Sequence, residues 1–266
     1  MKLGNTGISG AQAVFLALGS LAIFFSLVPS ASQQLFLVIN QAGRLVPDTP
    51  LALVTDWGNG ITAACIWLTI LCFRPSILWK SLTAIAVAAL LINAMKQGLD
   101  VMRPAAVLEH IRIVGAMRLN HSFPSAHTGT VFVLAGMAWT LCRRADVKAL
   151  ILLAAIMVGL SRITNGAHWP LDVVMGAWLG WGCARLAAHW VPECQLTAKH
   201  MLLVMSVFYG IVLISALQAR VPFPNLPLVG VQLSLLSLLP LVGISRLYRQ
   251  MRVQQTDAKS KVSLAG

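Results

Sequence analysis

Long apolar runs are the feature that most constrains how this chain can fold. A run of about 20 apolar residues lets an α-helix cross the hydrocarbon core of a bilayer. Strands would need a closed barrel to satisfy their backbone in lipid, and the alternating pattern of a barrel is absent. We therefore predict an all-α, polytopic transmembrane helical bundle of about eight spans, at about 11–29, 51–73, 77–96, 128–142, 147–162, 170–190, 201–218 and 227–247.

The N-terminal part allows more than one interpretation. Small residues at 30–32 resemble a cleavage site, so the first run could be a signal peptide. We favour an uncleaved anchor, because the run is long for a signal peptide. The segment 32–46 is too short and too polar to span a bilayer, and we expect it to form a helix in the membrane interface.

Charge in this chain is scarce and mostly positive. Charged residues make up 11% of the sequence, and 20 Lys and Arg stand against 8 Asp and Glu. Most of the basic residues lie in short loops between apolar runs, as expected for topology signals and contacts with anionic lipids. We therefore predict no nucleic-acid partner. Cytoplasmic termini put the larger share of the positive charge inside, which is the usual orientation.

Three polar segments interrupt the apolar pattern at a single membrane face. They are KQGLDVMRP at 96–104, NHSFPSAHTGT at 120–130 and SRITNGAHWPLD at 161–172. They end or begin the third to sixth spans, and the alternation of the spans brings all four helix ends to the outer face. A cluster of positive charges gathers there against the usual tendency: Lys96, Arg103, Arg112, Arg118 and Arg162.

The residue types at this face indicate phosphoryl-transfer chemistry. Converging Arg and Lys side chains, together with two helix N-termini, suit a phosphate ligand. His168 has Asp172 four residues later, so a carboxylate could orient an imidazole that attacks phosphorus. His127 is the other histidine at a helix end of this layer. We assign to it the proton for the leaving oxygen and the later activation of water.

The same segments resemble the three signatures of the type 2 phosphatidic acid phosphatase superfamily, K-x6-R-P, P-S-G-H and S-R-x5-H-x3-D. All signature spacings agree, and the one departure is Ala126 where glycine is usual. Alanine keeps the backbone N–H at that position. The resemblance covers about residues 50–190 and implies a six-helix phosphatase core within a single membrane domain, 1–266. The remainder, 191–266, is expected to add two spans and a basic cytoplasmic tail.

The resemblance implies a metal-independent lipid phosphatase without a cofactor, acting through a phosphohistidine intermediate. It makes His168 the nucleophile, Asp172 its partner and His127 the acid. Its phosphate-binding residues would be Lys96, Arg103, Ser125, Ala126 (through its backbone) and Arg162. Bacterial membrane members act on lipid phosphates, of which we favour undecaprenyl diphosphate or phosphatidylglycerol phosphate. The expected location is the bacterial inner membrane, with the site facing the periplasm.

Each of these residues also has a simpler interpretation when it is considered singly. Asp172 and Ser125 could be helix caps and no more. Lys96 and Arg162 could be anchors whose charged ends reach the membrane surface. All of these interpretations would have to hold together at one face, which favours a site.

Other polar residues and other functions stay open. Arg112 and Arg118 could belong to a solvated loop or could contact a headgroup or a second phosphate, and the intramembrane Asp56 could serve helix packing. Lipid A phosphatase and lipid-to-lipid phosphotransferase are the alternative activities. An anion transporter should place polar groups at the midplane, and three cations near two histidines disfavour a zinc site.

Overall fold

Helices form the whole of the regular structure. The structure is a computed structural model that describes residues 8–218, 223 and 225–263, and all of their side chains except those at 255 and 257–263. Within these residues every regular element is helical, which confirms the all-α prediction. The helices are α1 (Gly10–Leu27), α2 (Pro29–Ala42), α3 (Asp48–Asp56), α4 (Gly60–Phe73), α5 (Leu78–Leu99), α6 (Pro104–Val107), α7 (Ala126–Leu141), α8 (Ala145–Thr164), α9 (Pro170–Trp190), α10 (Ala198–Gln218) and α11 (Pro227–Ser263).

The helices are those of a multi-pass membrane protein. Of the described segments, those long and apolar enough to cross a bilayer are Gly10–Leu27, Pro75–Val107, Ala145–Thr164, Ala198–Gln218 and Pro227–Gln254. The apolar helix α4 is shorter, and α7 and α9 lie in the interior of the bundle, where small and polar residues replace lipid-facing ones. The segment predicted at 32–46 forms α2 and a short 3-10 turn, Gly43–Leu45.

The centre of the bundle is formed by α7 and α9, which approach each other along small residues. A Cβ added at Gly180 would lie 2.3 Å from the carbonyl oxygen of Gly129. A Cβ at Gly176 would lie 2.4 Å from that of Ser125. Small residues in this spacing let membrane helices pack backbone to backbone. The contact therefore holds the N-termini of α7 and α9 close together at one end of the bundle.

Replacing Gly180 by alanine is expected to destabilise the bundle. The added methyl group would clash with the Gly129 backbone, and overpacking of this kind costs about 1–3 kcal/mol. The matched control is Gly210→Ala in α10, where an added Cβ meets nothing within 4 Å. That variant should be neutral or stabilising, because alanine favours helix over glycine. Thermal unfolding in detergent measures both, and equal transition temperatures would contradict this account of the α7–α9 contact.

The segment predicted as one span at 51–73 is two helices, so that expectation is wrong in its details. Asn59 caps α4 by accepting a hydrogen bond from the backbone N–H of Ile61 at 3.1 Å. Gly58 lies so close to His127 that a Cβ at this position would be 2.9 Å from the His127 backbone oxygen. The chain therefore breaks between α3 and α4, and the break packs against the first turn of α7.

The loop after α6 is tied to α2 and to the residues that follow it by Arg112, which is partly buried. Its guanidinium donates to the carbonyl oxygens of Gly43 and Val46 and pairs with Asp48. Asn40 in α2 completes the contact by exchanging two hydrogen bonds with the Arg112 backbone. Arg112 thus belongs to the packing of this loop, and the solvated-loop interpretation does not hold for it.

The two C-terminal helices pack directly on the rest of the bundle. Helix α11 lies against α4, where a Cβ added at Gly243 would meet the side chain of Cys72. Gln232 of α11 donates to the Leu53 carbonyl and to Asp56, each at 3.1 Å. Helix α11 also continues to Ser263, beyond the predicted span end at 247, and the last three residues of the predicted tail lie outside the described residues.

Candidate active site

The four polar helix ends meet at one end of the bundle. Helices α5 and α8 end there, and α7 and α9 begin there. Between them lies a cavity of about 230 Å³. Of the residues predicted for the site, those that line the cavity are Lys96, Arg103, Ala126, His127, Arg162 and His168, while Ser125 and Asp172 are buried behind it.

Backbone carbonyl oxygens accept hydrogen bonds from two of the cations of the cavity, Arg103 and Lys96. Arg103 is buried and donates from Nη1 to the Ala167 carbonyl oxygen at 2.8 Å. Lys96 donates from Nζ to the His121 carbonyl oxygen at 2.7 Å. Arg162 is 9% exposed, and its buried Nε has no hydrogen-bond partner among the described residues. Because an unpaired buried donor is costly, this cluster is suited to bind an anion.

His168 lies in the turn before α9, between a carboxylate and a guanidinium. Its Nδ1 is 3.4 Å from Oδ2 of Asp172, and its Nε2 is 3.4 Å from Nη1 of Arg103. The same Asp172 oxygen accepts hydrogen bonds from the Ser122 hydroxyl and from the backbone N–H of Trp169 at 2.8 Å. Asp172 therefore caps α9 and faces the imidazole at the same time. The interpretation as a helix cap and the interpretation as the partner of His168 are thus compatible.

The surroundings of His168 favour its neutral form. Burial first, and then the positive charges of Arg103 and Arg162, lower the pKa of His168 well below its ordinary value. The imidazole is therefore unprotonated at neutral pH. With a proton on Nδ1 facing Asp172, Nε2 carries the lone pair toward the cavity. This is the electronic state that a nucleophilic histidine requires.

The N-terminus of α7 forms another wall of the cavity. Ser125 is its N-cap, fully buried, and its Oγ accepts hydrogen bonds from the Thr128 hydroxyl at 3.0 Å and the Thr128 backbone N–H at 3.5 Å. The N–H groups of a first helical turn have no intrahelical acceptors, and Ala126 and His127 of this turn line the cavity. Ser125 thus acts as a cap, and its role as a phosphate ligand stays a prediction.

Several lining residues were not assigned to the site from the sequence. Asp56 and Asn59 come from the break between α3 and α4, and the Asp56 carboxylate accepts hydrogen bonds from Asn59 and Thr62. Arg118 is exposed at the cavity, and Phe223 reaches it from the connection between α10 and α11. Asp56 and Arg118 were open candidates in the sequence analysis because they are charged. No sequence signal pointed to Phe223.

The segment that carries these polar residues resembles a known family. Residues 77–196, which include all three polar segments, match the PAP2 superfamily. The segment that carries the site is thus a PAP2-like segment. The chain is 32% identical over 114 residues to the bacitracin transport permease protein BcrC of Bacillus licheniformis, a match covering 43% of the chain and 55% of the relative. It therefore spans about half the length of that relative.

A second relative and two solved structures extend the comparison. The putative undecaprenyl-diphosphatase YbjG of Escherichia coli K12 is 29% identical over 166 residues, covering 60% of this chain and 76% of the relative. The crystal structure of Aquifex aeolicus LpxE has a TM-score of 0.54 and 29% identity, and the match covers 59% of this chain and 94% of that one. A Bacillus subtilis structure, a transmembrane PAP2-type phosphatidylglycerolphosphate phosphatase, has a TM-score of 0.51 and 19% identity, with coverages of 68% and 95%. Nearly all of each solved fold is thus contained in this chain, which has further helices.

Proposed function

We propose that this chain is a membrane lipid phosphate phosphatase that removes a terminal phosphate through a phosphohistidine on His168. One observation carries the proposal. The buried imidazole of His168 lies between the Asp172 carboxylate and the Arg103 guanidinium, at a cavity that is also lined by Lys96 and Arg162. The match of residues 77–196 to the PAP2 superfamily supports the same activity.

In the first step the lone pair of His168 Nε2 attacks phosphorus. A phosphorus–nitrogen bond forms, and the bond from phosphorus to the leaving oxygen breaks. The positive charge that develops on the imidazole is stabilised by Asp172 on the Nδ1 side. Lys96, Arg103 and Arg162 neutralise the phosphoryl oxygens, and His127, when protonated, gives its proton to the leaving lipid oxygen.

In the second step water hydrolyses the phosphohistidine. His127 is then neutral and accepts a proton from the attacking water, so that each cycle restores its starting state. The phosphorus–nitrogen bond breaks, and its electron pair returns to Nε2 of His168. Inorganic phosphate leaves, and the chain is ready for another substrate. Both histidines line the same cavity, which allows them to act in turn on one phosphorus atom.

We also propose that the reaction needs no metal ion. The charge of the phosphoryl group is balanced by Lys96, Arg103 and Arg162, three of the cations that line the cavity. A divalent ion placed near His127 and His168 would be repelled by Arg103 and Arg162. The cations therefore supply the electrostatic stabilisation that a metal ion provides in other phosphatases.

The substrate we favour is undecaprenyl diphosphate, with phosphatidylglycerol phosphate next. The Escherichia coli relative, whose name is putative undecaprenyl-diphosphatase, supports the first choice. We place the site on the periplasmic side of the bacterial inner membrane, because the opposite end of the bundle has the basic turn from α7 to α8, Arg143, Arg144 and Lys148.

Purified protein assayed on a panel of lipid phosphates tests this proposal. The panel contains undecaprenyl diphosphate, phosphatidylglycerol phosphate, phosphatidic acid and lipid A, each with and without a metal chelator. We expect phosphate release to be fastest from undecaprenyl diphosphate and to be unchanged by the chelator. Inorganic phosphate and the lipid products are both measured.

Three results would contradict parts of the proposal. Absence of phosphate release from every lipid would contradict the proposed phosphatase activity itself. Appearance of the phosphate on a second lipid, and not in solution, would replace the hydrolase by a phosphotransferase. Loss of activity with the chelator, and recovery of activity when zinc is added, would contradict the proposal that the mechanism needs no metal ion.

A further inference from the structure

A second cavity of about 290 Å³ lies beside the cationic one and is almost entirely apolar. It is enclosed by α4, α5, α7 and α10. No charged residue of the described chain lines it, and its polar lining side chains are few. The main contributors are Trp67, Leu71, Ile85, Ile92, Val133 and the α10 residues Phe208 and Val212.

The two cavities meet at the N-terminus of α7. Ala126 lines both of them, on one side with His127 and on the other with Thr130 and Val133 further along the helix. A group bound among the cations is therefore next to an apolar space that runs along α7 into the bundle. This is the arrangement that a molecule with a phosphate head and a hydrocarbon tail requires.

The apolar cavity is also accessible from the side of the bundle. Its lining on α5 includes Ile85, Ala89 and Asn93, all of which are exposed, Ile85 at 40%. In a membrane, this side of α5 faces the lipid. A hydrocarbon chain can thus enter laterally from the bilayer while its headgroup moves to the cationic cavity.

Helix α10 forms the wall opposite α5, and it lies beyond the segment that matches the PAP2 superfamily. It packs against α4 and α11, and its buried Met201 and Met205 belong to one apolar cluster with residues of these two helices. Phe208 and Val212 are on the following turns of the same helix and project into the cavity lining. The position of these two side chains is therefore set by packing and not by the family motifs.

We propose that this cavity holds the part of the lipid hydrocarbon nearest the phosphate, and that Phe208 and Val212 select among lipid tails. The inference rests on the proposed lipid phosphatase activity and gives its substrate a binding site. It assigns to the C-terminal helices a role in choosing the substrate. The chemistry of His168 does not depend on these residues.

The test is a Val212→Phe variant compared with Val207→Phe. Both changes add the same ring to α10, but Val207 is 54% exposed and lies outside the cavity. The measured quantity is kcat/KM for undecaprenyl diphosphate and for a short-chain analogue, isopentenyl diphosphate. For V212F we expect kcat/KM for the long-chain substrate to fall about tenfold. A fall of this size corresponds to the loss of burial of about two methylene groups of the lipid tail. The short-chain value and both V207F values should stay near those of the unchanged protein.

Equal kcat/KM values for V212F and V207F on the long-chain substrate would overturn the inference. An equal fall in the kcat/KM of V212F for both substrates would also overturn it, because such a fall would indicate a general disturbance of the protein. If V212F does not yield folded protein, Val212→Leu is measured in the same way and must shift selectivity in the same direction. A failure of the proposed function is recognised separately, because the unchanged protein would then hydrolyse neither substrate.

Discussion

Replacing His168 by asparagine is expected to reduce phosphate release from lipid phosphates by at least about 10⁴-fold. Asparagine has no lone pair that can form the phosphorus–nitrogen bond, whereas the cations that bind the phosphate remain in place. The variant should therefore still bind substrate with similar affinity. Steady-state phosphate release gives the rate, and binding of labelled lipid in detergent gives the affinity.

The matched control for this experiment is His189→Asn. His189 is exposed near the other end of α9, the same helix that His168 precedes. It should retain full activity. If H168N keeps near-normal phosphate release while its thermal unfolding is unchanged, His168 is not the nucleophile and the mechanism proposed above is wrong.

Replacing His127 by asparagine is expected to lower kcat by about 10²–10⁴-fold on a lipid substrate, the usual contribution of a general acid or base. The effect should depend on the leaving group. An activated aryl phosphate needs no proton on its leaving oxygen, so the first step stays fast for this substrate and the second step becomes limiting. Phosphohistidine should then accumulate, and acid-labile, base-stable labelling from a radioactive substrate measures it.

The same His189→Asn variant is a control for labelling, since it should show no more phosphohistidine than the unchanged protein. Absence of labelled intermediate in the His127 variant, together with an equal loss of activity on aryl and lipid substrates, would contradict the assignment of both proton transfers to His127. Labelling that persists in a His127→Asn, His168→Asn double variant would place the covalent intermediate on another residue.

The sequence predicted both histidines and three of the cations that line the cavity, because the three polar segments stand out against apolar surroundings. Lys96, Arg103, His127, Arg162 and His168 were all named from residue type, spacing and the resemblance, and all of them line one cavity. Their catalytic roles stay predictions. Their convergence could be anticipated because the alternation of the spans brings these four helix ends to one membrane face.

The break between α3 and α4 could not be predicted in the same way. The run at 51–73 is apolar enough for a single helix, and Gly58 and Asn59 are weak interruptions in such a run. The Asn59 cap and the packing of Gly58 against His127 become evident only in the structure. The contact of Ser122 with Asp172 could not be predicted either, since this hydrogen bond joins residues that are 50 positions apart in the sequence.

The sequence by itself determined the class of the fold, the ends of the helices that carry the site, and the chemistry of the phosphate-binding groups. These depend on local properties, namely hydropathy, spacing along one helix and the charge of single side chains. The tertiary structure alone decided how α10 closes an apolar cavity next to the cations, and how Phe223 reaches the site. Such contacts depend on the distances and angles at which helices pack, and a periodic apolar pattern does not encode them.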